Sequence, residues 1–211
     1  MRSKAHWRPA ILGLHGMVGL HGTANGGLTN GEAARLHHWL GDTASLTLKL
    51  MQCSRQFRVQ RLVQRSERCL ADEAQRLGLA RPVKAMVREV ALLCDGVPFV
   101  FAHSVLPLTS SAQDWPWFDQ LGERSLGSML FADPQIVRGE LEYARLSPQH
   151  PLAQRAVQAG MQSSQGLRAR RRLFRRKQGI ILVTEVFSPL IAQLTPQQAR
   201  QPLHQDGYHD Q

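Results

Sequence analysis

Two charged residues sit where strand patterning leaves no room for charge. In Met86-Val87-Arg88-Glu89-Val90-Ala91-Leu92, alternation sets Met86, Arg88, Val90 and Leu92 on one face. Arg88 therefore shares an apolar face, and a buried guanidinium needs an anion. That anion is either a strand carboxylate such as Glu89 or a bound ligand. Glu185 repeats the pattern with opposite sign. Residues 180–187 are nearly all apolar, and Ile181, Val183, Glu185 and Phe187 share a face. A carboxylate there either holds its proton or commits to a hydrogen-bond partner, for which the chain's many arginines are candidates. A lone cation and a lone acid on apolar walls describe a pocket for a small ring acid, with a carboxylate at one end and a hydroxyl at the other.

The other polar features carry less chemistry. Arg168, Arg170, Arg171, Arg172, Arg175, Arg176 and Lys177 form the densest charge block. With only Phe174 interleaved it lacks a stacking platform, so it reads as a solvated hairpin with some arginines near the pocket mouth, and no specific nucleic-acid partner is expected. Such a basic field would steer a dianionic substrate. His37 and His38 are adjacent and would face different sides of a helix, so no metal site is predicted. Ser110-Ser111 and Ser163-Ser164 lack a nucleophile-elbow context. Trp115 and Trp117 flank Pro116 and read as packing under a flap. No phosphate-cradling glycine motif is present.

The elements that would position these residues follow from periodicity. Asn30 begins a short helix over Glu32–Leu40 that Gly41 ends. Residues 57–65 alternate with a slip near Arg61, as a strand with a bulge would. Residues 67–78 read as helical. Ala85–Cys94, the Asp95-Gly96 turn and Val97–Leu106 form a hairpin. Trp115–Leu121 and Ser125–Phe131 read as short helices around Gly122, and Ile136–Leu146 as one strand. Residues 151–162 read as a helix. A last hairpin joins Leu167–Phe174 to Ile180–Phe187 through residues 175–179. Tightly joined strands with helices in the connections predict an α+β fold: one antiparallel sheet with helices packed on one side.

Composition bounds the rest. A chain of 211 residues is long enough for one self-sufficient core, and a net charge of +10 favours anionic partners. The cysteines, Cys53, Cys69 and Cys94, are odd in number and lack CxxC spacing, which suits reduced thiols in a cytoplasm. Residues 10–20 are moderately apolar but broken by His15 and glycines, so neither a signal peptide nor a membrane span is expected. Residues 1–30 read as a flexible arm, 31–192 as the folded domain and 193–211 as a disordered polar tail.

From about Leu36 to Pro189 the chain resembles the chorismate pyruvate-lyases of ubiquinone biosynthesis. The matching blocks are His38-Trp39-Leu40 with Ser45-Leu46-Thr47; Val87-Arg88-Glu89-Val90 leading to Leu93-Cys94-Asp95-Gly96-Val97-Pro98; Leu121-Gly122 with Leu126-Gly127 and Leu130-Phe131; and Leu182-Val183-Thr184-Glu185-Val186-Phe187-Ser188-Pro189. The resemblance implies helical flaps closing over a buried product site. It implies conversion of chorismate to 4-hydroxybenzoate and pyruvate, without metal or redox cofactor, by a cytoplasmic monomer. Arg88 would hold the ring carboxylate and Glu185 the ring hydroxyl, with Leu46 and Leu126 binding through backbone groups. Where the family often carries Gly-Arg, this chain reads Ala102-His103. If that arginine assists a second carboxylate, His103 would substitute as a cation. A non-catalytic sensor of small aromatic acids on the same fold is the alternative.

Overall fold

Asp95 and Gly96 both adopt left-handed backbone (φ 52° and 83°), the geometry a two-residue hairpin loop requires. They join β2 (Lys84–Cys94) to β3 (Val97–Pro107). The structure, a computed structural model, describes residues 5–9, 30–109, 114–163 and 165–196. Most of the expected N-terminal arm and C-terminal tail lies outside these residues. Residues 5–9 do not stand away from the domain: Arg8 bridges to Tyr143, and Trp7 lies under the Arg171 guanidinium, 4.2 Å from ring centre to cation.

The hairpin lies within a seven-stranded sheet, one strand in from one of its edges. β1 (Phe57–Arg68) pairs with β2, and β3 pairs with β7 (Gly179–Phe187). β7 pairs with β6 (Leu167–Arg176), whose far edge carries β4 (Val137–Arg138) and β5 (Glu142–Leu146). Every pairing is antiparallel, so the predicted α+β class holds. The slip expected near Arg61 is a register shift between Arg61 and Val63. The strand expected over 136–146 is two short strands. Gly139 breaks them, donating its N–H to Leu173 at 2.8 Å where a Cβ would meet that carbonyl at 3.1 Å. Residues 115–121 form successive turns rather than a helix, burying Trp115, Phe118 and Leu121.

One irregularity in β3 matters more. Leu93 pairs with Pro98 but Leu92 pairs with Val100, leaving Phe99 as an extra residue. Beyond this bulge the register slides by one, and Arg88 faces Ser104 while Glu89 faces His103.

The helices divide between both faces of the sheet, not one. On the first face α1 (Asn30–Gly41) and α2 (Leu46–Gln52) pack through Leu36, Trp39, Leu40, Leu46 and Leu50 onto Val90, Leu92, Val100 and Phe187. On the opposite face α3 (Ala71–Arg76) covers Val87, Val105 and Leu182. α4 (Leu126–Ala132) lies on the first face, packing Leu126 and Leu130 with Phe174 and Ile181. α5 (Pro151–Gln158) lies on the opposite one, against Phe101, Ala169 and Val186. The physical reason is the continuity of apolar residues in the central strands. β2, β3 and β7 are buried on alternate and intervening positions alike, so both faces need a cover. On the first face two apolar clusters flank a gap in the middle of the sheet.

Candidate active site

That gap is a cavity with about 690 Å³ of atom-free space, counting its opening to solvent. Its floor is two neighbouring rows of cross-strand partners. One row runs Arg88–Ser104–Val183–Arg172 across β2, β3, β7 and β6. The next runs Val90–Ala102–Glu185–Arg170 across the same strands. All eight side chains line the cavity. Sheet pairing alone thus places a cation at one end and a carboxylate between cations toward the other.

Arg88 is 1% exposed. Its Nη2 donates to the carbonyls of Gly122 (3.1 Å) and Arg124 (2.8 Å) in the turn before α4. Its Nε is buried without a partner, and no carboxylate among the described residues pairs with it. Glu89, the strand carboxylate that might have neutralised it, points to the opposite face, toward His103. Burial, with the nearby Arg61 adding to it, pushes the Arg88 pKa down to about 10. An uncompensated guanidinium of this kind is a receptor for an anion.

Glu185 has the committed partner its strand implied. Arg170, directly across on β6, donates Nε to Glu185 Oε2 at 2.5 Å. Arg170 is itself buried, and its Nη1 donates to the carbonyls of Trp39, Leu40 and Asp42 where α1 ends. The acid is thereby held in one orientation, with one oxygen engaged by the guanidinium and the other not. Arg170 and Arg171 are buried strand residues, so the reading of residues 168–172 as a solvated run is corrected. Distant carboxylates and carbonyls neutralise them: Arg171 pairs with Glu142 (2.6 Å) and Asp72 (3.2 Å).

The roof comes from two helix N-termini. Ser45 caps α2 and Ser125 caps α4, so Leu46 and Leu126 are the first residues of their helices, and both line the cavity. First-turn amides have no acceptor within their own helix. Thr47 Oγ1 and Ser125 Oγ lie 2.6 Å apart and lock the two helix starts together. Gly127 allows this close approach, since a Cβ there would meet Thr47 Oγ1 at 3.1 Å.

His103 does not belong to the cavity. The bulge at Phe99 turns it to the opposite face, where it is 2% exposed between Glu89 (Nδ1, 2.9 Å) and Glu73 (Nε2, 3.0 Å). Although burial opposes the charge, the two carboxylates raise its pKa to about 9, so it is an imidazolium at neutral pH. Arg155 joins the cluster through Glu89 (2.6 Å) and Glu67 (2.7 Å). The expected role of His103 in substrate binding is therefore replaced by a structural one. Of the five residues singled out from the sequence, the structure brings together Arg88, Glu185, Leu46 and Leu126. The residues missed are Arg170 and Arg172. Glu185's cross-strand register was the available signal, but it depends on a two-residue loop at Lys177-Gln178 rather than the longer one assumed.

The chorismate lyase family profile matches residues 30–198. A probable chorismate pyruvate-lyase of Cupriavidus metallidurans is 44% identical over 81% of this chain and 84% of its own. One from Dechloromonas aromatica is 45% identical over 75% of this chain and 89% of its own. Among solved structures, the C-terminal domain of the histidine utilization repressor from Pseudomonas syringae overlays 63% of this chain and 92% of its own at TM-score 0.49 and 11% identity. A likeness at that level carries nothing about the ligand.

Proposed function

The chain belongs to the chorismate lyase family, and from that premise we propose that this cavity converts chorismate to 4-hydroxybenzoate and pyruvate, the entry reaction of ubiquinone synthesis. The single observation that carries the assignment to this cavity is Arg88, a buried cation on its floor that pairs with no acid among the described residues.

The reaction is an elimination whose atoms balance without water or an oxidant. The ring C–O bond to the enolpyruvyl group breaks, and the hydrogen on the hydroxyl-bearing carbon leaves as a proton. The electrons of that C–H bond complete the aromatic ring. The departing enolpyruvate takes a proton at its methylene carbon and becomes pyruvate. Aromatisation drives the step, so the protein's task is to hold the dianion, exclude water and stabilise charge on the departing oxygen.

On this reading Arg88 takes the ring carboxylate, assisted by the first-turn amides of Leu46 and Leu126. Glu185, aimed by Arg170, accepts the ring hydroxyl's hydrogen bond through its other oxygen and stands near the carbon that loses its proton. The roof joined at Thr47 and Ser125 must open for product to leave, so release is slow. We take the enzyme to work as a monomer. Among the described residues no helix is long and apolar enough to cross a membrane. We take the enzyme to act in the cytoplasm, on a small molecule rather than nucleic acid, with residues 31–192 as its working domain and the flanking segments as accessory.

Purified protein incubated with chorismate should release 4-hydroxybenzoate and pyruvate in equal amounts. Arg88→Ala and Glu185→Ala should each abolish both. Turnover undiminished in both variants would remove the cavity from the mechanism.

A further inference from the structure

Chorismate carries two carboxylates, one on the ring and one on the enolpyruvyl side chain, and 4-hydroxybenzoate retains only the first. If Arg88 takes the ring carboxylate, the second anion still needs a partner. His103 faces away and is already enclosed by Glu73 and Glu89. Arg170 is committed to Glu185 and to the carbonyls that end α1.

Arg172 is different. It lines the cavity at the opposite end of Arg88's own row, three strands away on β6. Three strand spacings are about 14 Å between backbones, and both side chains line the cavity over the strands between them. No carboxylate among the described residues pairs with Arg172, and its Nε is buried without a hydrogen-bond partner. Burial first, then the like charges of Arg170 and Arg138, weigh against its protonated form, while Glu185, the one carboxylate that favours it, is held by Arg170. A guanidinium in this setting is relieved only when an anion arrives.

We propose that Arg172 receives the carboxylate of the enolpyruvyl side chain, so that the row from Arg88 to Arg172 holds the substrate's two carboxylates from opposite ends. The proposal rests on the lyase reading and adds a consequence to it. Arg172 touches substrate and departing enolpyruvate but not 4-hydroxybenzoate. It therefore discriminates substrate from product, a property a site with slow product release needs.

The test compares wild type, Arg172→Ala, Arg172→Lys and Arg88→Ala in chorismate turnover and in direct 4-hydroxybenzoate binding by calorimetry. Arg172→Ala should raise the KM for chorismate roughly 10- to 100-fold, the loss of a charge-assisted contact. Its Kd for 4-hydroxybenzoate should stay within about twofold of wild type, since the product lacks the second carboxylate. Arg172→Lys should recover part of the KM, and Arg88→Ala should lose both ligands. An unchanged KM in Arg172→Ala beside an active wild type overturns the role of Arg172 alone. So does a parallel loss of 4-hydroxybenzoate affinity in both Arg172 variants. A wild type that binds 4-hydroxybenzoate but does not turn over chorismate overturns the lyase reading and this inference with it.

Discussion

Replacing Arg88 with methionine should leave the protein about as stable and unable to bind its product. The side chain is buried with no paired acid among the described residues, and burial pushes its pKa well below the usual arginine value, to about 10. A cation whose folded pKa is depressed destabilises the fold at every pH below that value, and the penalty fades only as pH rises above about 10 toward the ordinary arginine range. A depression of that size corresponds to about 3 kcal/mol at neutral pH. Methionine removes that penalty and fills similar volume, but it leaves the carbonyls of Gly122 and Arg124 without their donor. Each lost bond from the charged guanidinium costs about 1.5 kcal/mol. Gain and loss nearly cancel, so the Tm should stay within about 2–4 °C of wild type for a domain of this size. The same change deprives a buried ligand carboxylate of its cation, which costs about 3–5 kcal/mol and weakens 4-hydroxybenzoate binding at least 100-fold. Thermal melts with and without 4-hydroxybenzoate read both effects. Wild type should rise with ligand, whereas Arg88→Met should start close to it and not respond. A variant that melts several degrees lower, yet still shifts with ligand, would show Arg88 to be a structural tie and refute the reasoning.

Glu185→Gln keeps an acceptor for Arg170 but cannot take a proton. Its kcat should fall about 10²- to 10⁴-fold while 4-hydroxybenzoate still binds, as steady-state rates beside calorimetry would show. His103→Leu leaves Glu73 without its ion-pair partner and Glu89 with Arg155 alone, and should lower stability by about 3–5 kcal/mol in denaturant titration without changing the KM of the folded fraction. In wild type, the raised pKa of His103 means that its contribution is full below pH 6.5 and is lost as pH rises through about 9. Glu73 and Glu89, whose pKa values are lowered by the His103 imidazolium against the opposing effect of burial, contribute above the ordinary carboxylate range and lose that support on acidification. Melts between pH 6 and 9.5 should therefore decline in wild type and lie flatter in His103→Leu. Thr47→Val removes the bond to Ser125 with little change of shape, and stopped-flow release of 4-hydroxybenzoate should quicken about fivefold, as for roughly 1 kcal/mol.

Arg88 and Glu185 were legible because alternation is a strong constraint: a charge on an apolar face has no innocent explanation until its partner is found. The partners were not legible, because they arrive from far along the chain. Arg170 is neutralised by carbonyls of residues 39–42 and by Glu185, and nothing in a run of arginines marks which ones a fold will bury. His103 failed for a narrower reason. A regular hairpin around Asp95-Gly96 would set residue 103 opposite Arg88, on the cavity face. The extra residue at Phe99 reverses that parity, and a bulge within an apolar run leaves little trace in the sequence. The helices' distribution over both faces was hidden likewise, since continuous apolar strands tell that a sheet is covered twice but not by which connections.

Arg170 serves two structures at once. One side of its guanidinium aims Glu185, and the other clasps the carbonyls that end α1, from which the chain passes directly into the α2 part of the roof. On the proposed mechanism, timing and aim therefore share a side chain. A change that loosened its hold on those carbonyls would let the gate swing sooner, but it would also leave the acid free to wander. Speed of escape and accuracy of chemistry cannot be improved separately here, and a faster descendant of this enzyme would first have to divide the two duties between two residues.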